Sequence, residues 1–228
     1  DNPFEKETDL NGRLGMDFKM GLGPNYTLDA TFNPDFGQVE ADPAEVNLSA
    51  FETTFSEKRP FFTEGRRLIK GNGPNYFYSR RIGSRPLGNP NPNGADAYVR
   101  TPDNTQILGA AKVTGRSRSG LSIGVLGAVT AEEFGKMHFI DNDSTAEVKV
   151  APLTSFAVAR GQQEFGENTS TIGFMLTGMK REIKEGSILD EQLSRNAISG
   201  GTEWNLRFNA GEYVLGGHFG FSHVNGSK

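Results

Sequence analysis

The sequence predicts an all-β fold: an antiparallel transmembrane β-barrel segment built of up-and-down hairpins and incomplete in this chain. Three observations carry that reading. Residues 107–131 alternate with period two on both sides of a short polar turn, the same alternation recurs in three other hairpins, and short turns within hairpins trade places with long polar connections between them. Strands of about ten residues that set an apolar face against a small or polar one are the repeating unit of such a barrel.

The first hairpin is expected over 10–22 and 25–33. Leu14, Met16, Phe18 and Met20 share one face with Arg13, Asp17 and Lys19 opposite. Beyond the turn Gly23-Pro24-Asn25, Leu28, Ala30 and Phe32 oppose Asp29, Thr31 and Asn33. Charges on that second face suit a water-facing lumen and not a dry sandwich core.

Residues 34–105 break the alternation and are expected to form an irregular, plug-like insertion. Asp35, Glu40, Asp42, Glu45, Glu52 and Glu57 carry six acids with no base among them, and Lys58, Arg59, Arg66, Arg67, Lys70, Arg80, Arg81 and Arg85 follow with eight bases against Glu64 alone. Blocks of opposite sign can pair across a partly desolvated lumen; a solvated loop is the bland alternative. The stretch Pro86 to Gly94, PLGNPNPNG, cannot continue a ladder. Gly-x-Gly-Pro-Asn-Tyr occurs at Gly21 and again at Gly71, a reused turn without a longer repeat.

The second hairpin is expected over 106–116 and 120–131. Ile107, Gly109, Ala111 and Val113 are assigned one face, with Leu108, Ala110, Lys112 and Thr114 on the other. After the turn, Leu121, Ile123, Val125, Gly127 and Val129 oppose Ser122, Gly124, Leu126, Ala128 and Thr130. Residues 132–148 read as a long polar connection. The third hairpin, 152–164 and 169–181, is expected to point Thr154, Phe156 and Val158, then Ile172, Phe174 and Leu176, outward. A second long connection fills 181–197. The last hairpin, 198–209 and 212–224, sets Trp204, Leu206 and Phe208 against Asn205, Arg207 and Asn209, with Leu215, Gly217, Phe219 and Phe221 across the turn. Phe18, Phe32, Ile123, Val125, Phe174, Trp204, Leu206, Phe219 and Phe221 are therefore the expected lipid-facing residues, and Asp35, Glu40, Asp42, Glu45, Glu52, Lys58, Arg59, Arg80 and Arg81 the expected charge network of lumen or plug.

Composition bounds the function classes. The chain has 228 residues, 29 glycines, 17 phenylalanines and no cysteine, which favours sheet and turn and removes disulfides, thiolate metal sites and cysteine nucleophiles. A net charge of -4 gives no broad cationic field for nucleic acid. No window of eighteen apolar residues offers a spanning helix, and the mean hydropathy of -0.50 is low for a membrane protein, but barrels keep mean hydropathy low because lumen faces and loops are polar. The first residues lack the pattern of a signal peptide and the last four form a polar turn, so the chain reads as an excerpt of a longer protein.

Catalytic and metal motifs fail on inspection. Gly120-Leu121-Ser122-Ile123-Gly124 matches a nucleophile elbow but opens a strand, with no helix after it and no acid or histidine placed to complete a triad. His218 and His223 are five apart in a strand and fall on opposite faces. Asp141-Asn142-Asp143-Ser144-Thr145 begins like a calcium loop, yet lacks glycine at the sixth position and has Pro152 where the closing glutamate belongs. No catalytic residue, metal site or cofactor is expected.

Asn33-Pro34-Asp35-Phe36-Gly37-Gln38-Val39-Glu40-Ala41-Asp42-Pro43, then Val46-Asn47-Leu48, Phe51-Glu52, Glu57-Lys58-Arg59-Pro60-Phe61-Phe62 and Glu64-Gly65, closely resemble a bacterial family, as does Phe77-Tyr78-Ser79-Arg80-Arg81-Ile82-Gly83. These strings resemble the DUF5916 family, and the later stretches ILGAAKVTGR, GLSIGVLGAVT and APLTSFAVAR fit the same pattern. The resemblance implies a carbohydrate-binding module family 9-like domain preceding an outer-membrane β-barrel region, and no catalytic residues to carry over. The whole chain, 1–228, then reads as the N-terminal part of the barrel domain in the outer membrane of a Gram-negative bacterium. The expected role is a pore or envelope scaffold linked to uptake of glycans or small solutes, with outer-membrane lipid, a glycan or small solute and other envelope proteins as partners. The alternatives are a soluble all-β carbohydrate-binding module and, behind it, a glycoside-active enzyme using acids in 35–57. If the chain enters from the periplasm and the later short turns are periplasmic, the turn at 23–25 is external and one further crossing, centred on Asn75 to Ile82, is expected between 34 and 105.

Overall fold

The computed structural model describes residues 3–4, 12, 14–34, 54–70, 74–92 and 94–226. In chain order these form β1 (Met16–Leu22), β2 (Tyr26–Phe32), α1 (Pro60–Thr63), α2 (Arg66–Lys70), β3 (Ala97–Arg100), β4 (Ile107–Arg116), β5 (Leu121–Thr130), β6 (Glu133–Phe139), β7 (Ser144–Ala151), β8 (Thr154–Phe165), β9 (Ser170–Arg181), α3 (Ile188–Gln192), β10 (Ser194–Phe208) and β11 (Tyr213–Gly226). Eight strands make one sheet in the order β1-β2-β4-β5-β8-β9-β10-β11, and β3-β6-β7 make a second. Every pairing is antiparallel. The eight strands expected from period-two alternation are the eight of the large sheet, because each short turn joins neighbours whose in-and-out pattern matches. Among the described residues the sheet does not close on itself: β1 and β11 are its edges.

Four short turns lie along one rim. The Asn25 carbonyl accepts from the Arg116 amide at the end of β4, and the Gly120 carbonyl accepts from the Glu164 amide at the end of β8. The long connections, 33–106, 131–153 and 182–193, therefore share the opposite rim. This arrangement overturns the expected crossing at Asn75 to Ile82. β2 and β4 are antiparallel neighbours, with Tyr26 opposite Gly115 and Phe32 opposite Gly109, which requires an even number of crossings between them. Among the described residues of that interval no strand joins the large sheet, and the turn at 23–25 sits with the other short turns. Long insertions are tolerated because loop-closure entropy grows only slowly with length.

Two faces were misassigned by simple alternation. The β4–β5 register shifts between Ile107 and Gly109, so Ile107 pairs with Thr130 on the inner face and is 4% exposed, while Leu108 points outward. One bulged residue is enough to exchange faces. In β8, Thr154, Phe156 and Val158 face inward, opposite Thr130, Ala128 and Leu126. They are apolar on the inner side because something dry packs there. The connection 132–148 is also more ordered than its polarity suggests: β6 and β7 form a hairpin, with β3 on its edge, and bury Met137 and Val150.

The dry side is the insertion. Phe62, Ile69 and Ile82 pack on Ile107, Ala110, Leu126, Ala128, Val158 and Met175, with Phe61, Tyr76, Phe77 and Phe156 around them. The hydrophobic core thus lies between the insertion and the inner face, and among the described residues no layer of protein covers the outer face of the sheet. Phe174 is 55% and Phe219 65% exposed there.

Candidate functional site

Most of the buried charges among the described residues lie on the inner wall and in the insertion seated on it; Asp190, in α3, is the exception and pairs with Arg195. Pro60 sits at the first turn of α1, where its missing N–H costs nothing, and the residues just before it return onto the segment 79–82. Arg59 Nε and Nη2 donate to the two Glu57 carboxylate oxygens, each at 2.8 Å. Arg59 also donates to the carbonyls of Ile82 at 2.6 Å and Ser79 at 2.9 Å, and Ser79 Oγ donates to Glu57 at 2.6 Å. The guanidinium lies 4.3 Å from the Phe62 ring centre. Burial pushes the Glu57 carboxyl up, but the hydrogen bonds from Arg59 and Ser79 and the Arg59 charge outweigh it, so it titrates below its ordinary range. Arg is suited to this position because its planar fork meets a carboxylate and two carbonyls at once. This knot ties two segments of the insertion, 57–59 and 79–82, into one unit.

A second cluster fastens that unit to the wall. Lys112 on β4 is almost wholly buried, and its ammonium donates to the Glu64 carbonyl at 2.7 Å and to the Phe61 carbonyl. Both are carbonyls at the C-terminal end of α1, where a cation is favoured. Asp29 on β2 stands 3.8 Å from the same ammonium and 3.6 Å from Lys19 on β1, and Lys19 reaches the Glu64 carboxylate at 2.5 Å. The Glu64 carboxyl is held below its ordinary range by the Lys19 hydrogen bond. Gly65 closes the contact with a φ of +66°, and a Cβ there would meet Thr114 Oγ1 at 2.9 Å. A third pair, Arg160 Nη2 to Glu203 at 2.7 Å, bridges β8 and β10 on the inner face.

Beside these pairs, a cavity of about 620 Å³ opens between the insertion and β8–β11. Arg80, Arg81, Arg85 and Arg181 line it together with Tyr76 and Tyr78.

The expected charge network divides accordingly. Arg59 is in the knot, Arg80 is buried and donates to the Ser56 carbonyl at 3.0 Å, Arg81 is exposed toward the cavity, and Lys58 is exposed. Asp35, Glu40, Asp42, Glu45 and Glu52 lie outside the described residues. Of the acidic block, Glu57 is described, and it pairs with the start of the basic block. The nine residues expected to face lipid all stand on the outer face: Phe18, Phe32, Val125, Phe174, Phe219 and Phe221 are exposed, and Ile123, Trp204 and Leu206 are half-buried among neighbours. Asp29 and Lys112 are placed on the polar face by sequence but are not among the expected charge network, and Arg160, Glu203 and Arg181 are not singled out from sequence. The available signal is a charged residue on the face opposite an apolar stripe, which marks the polar side of the strand but not its partner.

A family model described as a domain of unknown function (DUF5916) matches residues 1–228. The chain belongs to the DUF5916 family. No curated protein and no solved structure matches it. In this DUF5916 chain, two of the strings that mark the family resemblance, Glu57 to Phe62 and Phe77 to Gly83, meet in the buried knot. Gly83, at the end of the second string, has a φ of +80° and lies so close to Ile107 that a Cβ would approach it at 3.0 Å. Its requirement for glycine comes from both the backbone and the wall.

Proposed function

We propose that this chain is part of a β-barrel in the outer membrane of a Gram-negative bacterium, carrying an insertion that plugs its lumen. Its role is passive, as a pore or envelope scaffold linked to uptake of glycans or small solutes, with no catalysis of its own. The observation that supports this is the inverted distribution of polarity across one sheet. Met16, Phe18, Phe32, Phe174, Phe219 and Phe221 are exposed on the outer face, whereas Lys112, Asp29 and Arg160 are buried on the inner face beneath the insertion. A water-soluble sheet buries its large apolar side chains and solvates its charges; a lipid-facing sheet does the reverse. An uncovered run of exposed aromatics of this length is otherwise an association surface.

Short turns at one rim and long connections at the other match the periplasmic and outer ends of such barrels. Plug-bearing barrels restrict passage until the plug yields, so the Glu57–Arg59 knot and the Lys112 contacts are the groups that would hold the lumen shut. The test is fractionation of the full-length protein after expression in a Gram-negative host. Recovery in the outer-membrane fraction, released by detergent and not by high salt or carbonate, is expected. Recovery as a soluble periplasmic species would favour a carbohydrate-binding module instead.

A further inference from the structure

We infer that Tyr76 is the gate of a passage for water, ions and small polar solutes that runs along the inner face of β9–β11, beside the insertion. The inference rests on the barrel reading and names where its lumen opens. The helices α1 and α2 of the insertion lie against β2, β4, β5 and β8. Toward β10 and β11 the insertion reaches with the Tyr76 side chain. Ser199, Gly201 and Glu203 lie two apart along β10 and so share the inner face, and Gly201 stands opposite Gly220 of β11. The two glycines form a slot that takes the end of the tyrosine. A Cβ on Gly201 would meet the Tyr76 hydroxyl at 2.8 Å, and one on Gly220 would run into the same oxygen. Glycine at both positions is what lets the ring reach the wall.

Tyr76 stands between two spaces. On the side of the long connections it lines the cavity of about 620 Å³, with Thr177 and Ser199. On the side of the short turns it lines a cleft of about 10 Å³, with Met175, Gly201 and Glu203. Two residues along β9 and β10 therefore lead from room for a small molecule to room for about one water, and the ring is at the step. Beyond the cleft the wall is polar, with the Arg160–Glu203 pair and His218 opposite Glu203. The backbone of Tyr76 is tied down: its amide donates to the Pro74 carbonyl at 3.0 Å and its carbonyl accepts from Thr177 Oγ1 at 3.4 Å. The ring turns about its own side-chain bonds while the insertion stays seated through the Lys112 contacts on the opposite part of the wall. When it leaves the slot, the bare backbone of Gly201 and Gly220 separates the cavity from the cleft.

The experiment is conductance recording of the detergent-purified full-length protein in planar lipid bilayers bathed in potassium chloride. Tyr76→Ala is expected to raise the conductance at least twofold over the wild type, and Tyr213→Ala, on the exposed outer face of β11, to leave it unchanged. Tyr76→Cys should conduct like Tyr76→Ala until benzyl methanethiosulfonate puts a ring back at that position, and should then return to the wild-type level. Residues 1–228 hold no cysteine, and the same reagent should leave the wild type unaltered. An insertion that had come loose from the wall would not be closed again by one ring, so the reversal separates a gate from a structural support. Wild-type conductance in Tyr76→Ala, or a Tyr76→Cys channel that stays open after benzylation, overturns the inference and leaves the barrel standing. Failure of wild type and variants alike to insert into the bilayer overturns the barrel reading and the gate with it.

Discussion

Replacing Arg59 with methionine is expected to loosen the insertion from the inner wall while leaving the large sheet intact. The substitution keeps an unbranched side chain but leaves the Glu57 carboxylate buried without its cation, and breaking a buried ion pair in this way costs about 3–5 kcal/mol. It also removes the donor from the Ile82 and Ser79 carbonyls, each worth about 1–3 kcal/mol if no water replaces it. Water will reach part of the opened site, so the lower bound of about 3 kcal/mol is the safer figure, and that raises the detached population by about two powers of ten. Glu57→Gln should cost less, because Arg59 keeps both carbonyls and only one charge is lost. The double change Glu57→Leu with Arg59→Met should recover part of the loss by removing both buried charges together.

Hydrogen exchange read by mass spectrometry is the assay, on peptides from 54–85 and from β5 and β8. Amides such as Phe62 and Ile82, which donate to the Arg59 and Ser79 carbonyls, should exchange faster in Arg59→Met while β5 and β8 stay protected. Unchanged exchange in 54–85, or equal acceleration throughout the strands, would refute the reasoning. A dependence on pH follows with a definite sign. The folded-state titration of Glu57 lies below its ordinary 4.5, so its stabilisation is complete above that value and is lost as pH falls through the depressed one. Protection of 54–85, corrected for intrinsic exchange, should be flat from neutrality to about pH 4.5 and decline only below it.

Three further outcomes are expected. Phe174→Lys, on the exposed outer face, should cost about 2–4 kcal/mol in lipid, measured as unfolding from vesicles; a cost within about 0.5 kcal/mol, as at a soluble surface, would contradict the barrel. Gly65→Ala should destabilise the α1–α2 turn by about 1–2 kcal/mol for its left-handed backbone, with more from the clash at Thr114. Gly166→Ala, at a φ of +72° with open space around it, should cost the backbone part alone, and equal losses of stability in the two variants would show that the wall contact contributes nothing. Because the chain has no cysteine, Asp141→Cys in the β6–β7 turn and Glu167→Cys in the β8–β9 turn give clean labelling sites. A membrane-impermeant maleimide on intact cells should label the first and spare the second, and the reverse pattern would invert the assigned orientation.

The sequence by itself determined the eight strands and their pairing within the four hairpins, because period-two alternation across a short turn is a local property; that β2 pairs directly with β4, with no crossing between them, was decided by the tertiary structure. A hairpin such as Tyr26–Phe32 with its neighbour Met16–Leu22 can be read wherever the apolar stripe is unbroken and the turn chemistry marks the bend. It also determined which side of most strands is apolar, and the family strings at 57–62 and 77–83. Three further things depended on tertiary structure. The bulge at Ile107 exchanged faces with no local mark beyond a normal alternating run. Thr154, Phe156 and Val158 look outward-facing by their polarity, yet they line the inner wall, since the insertion packed on it makes that wall dry and apolar in places. Alternation shows that two faces differ; it cannot say which one a distant segment covers. The pairing of Lys112 with carbonyls about fifty residues away, and of Arg181 with an arginine-lined cavity, arises only when 33–106 folds back onto the sheet. Long-range contacts of this kind have no period in the sequence, because their partners are chosen by shape and charge after the strands have formed.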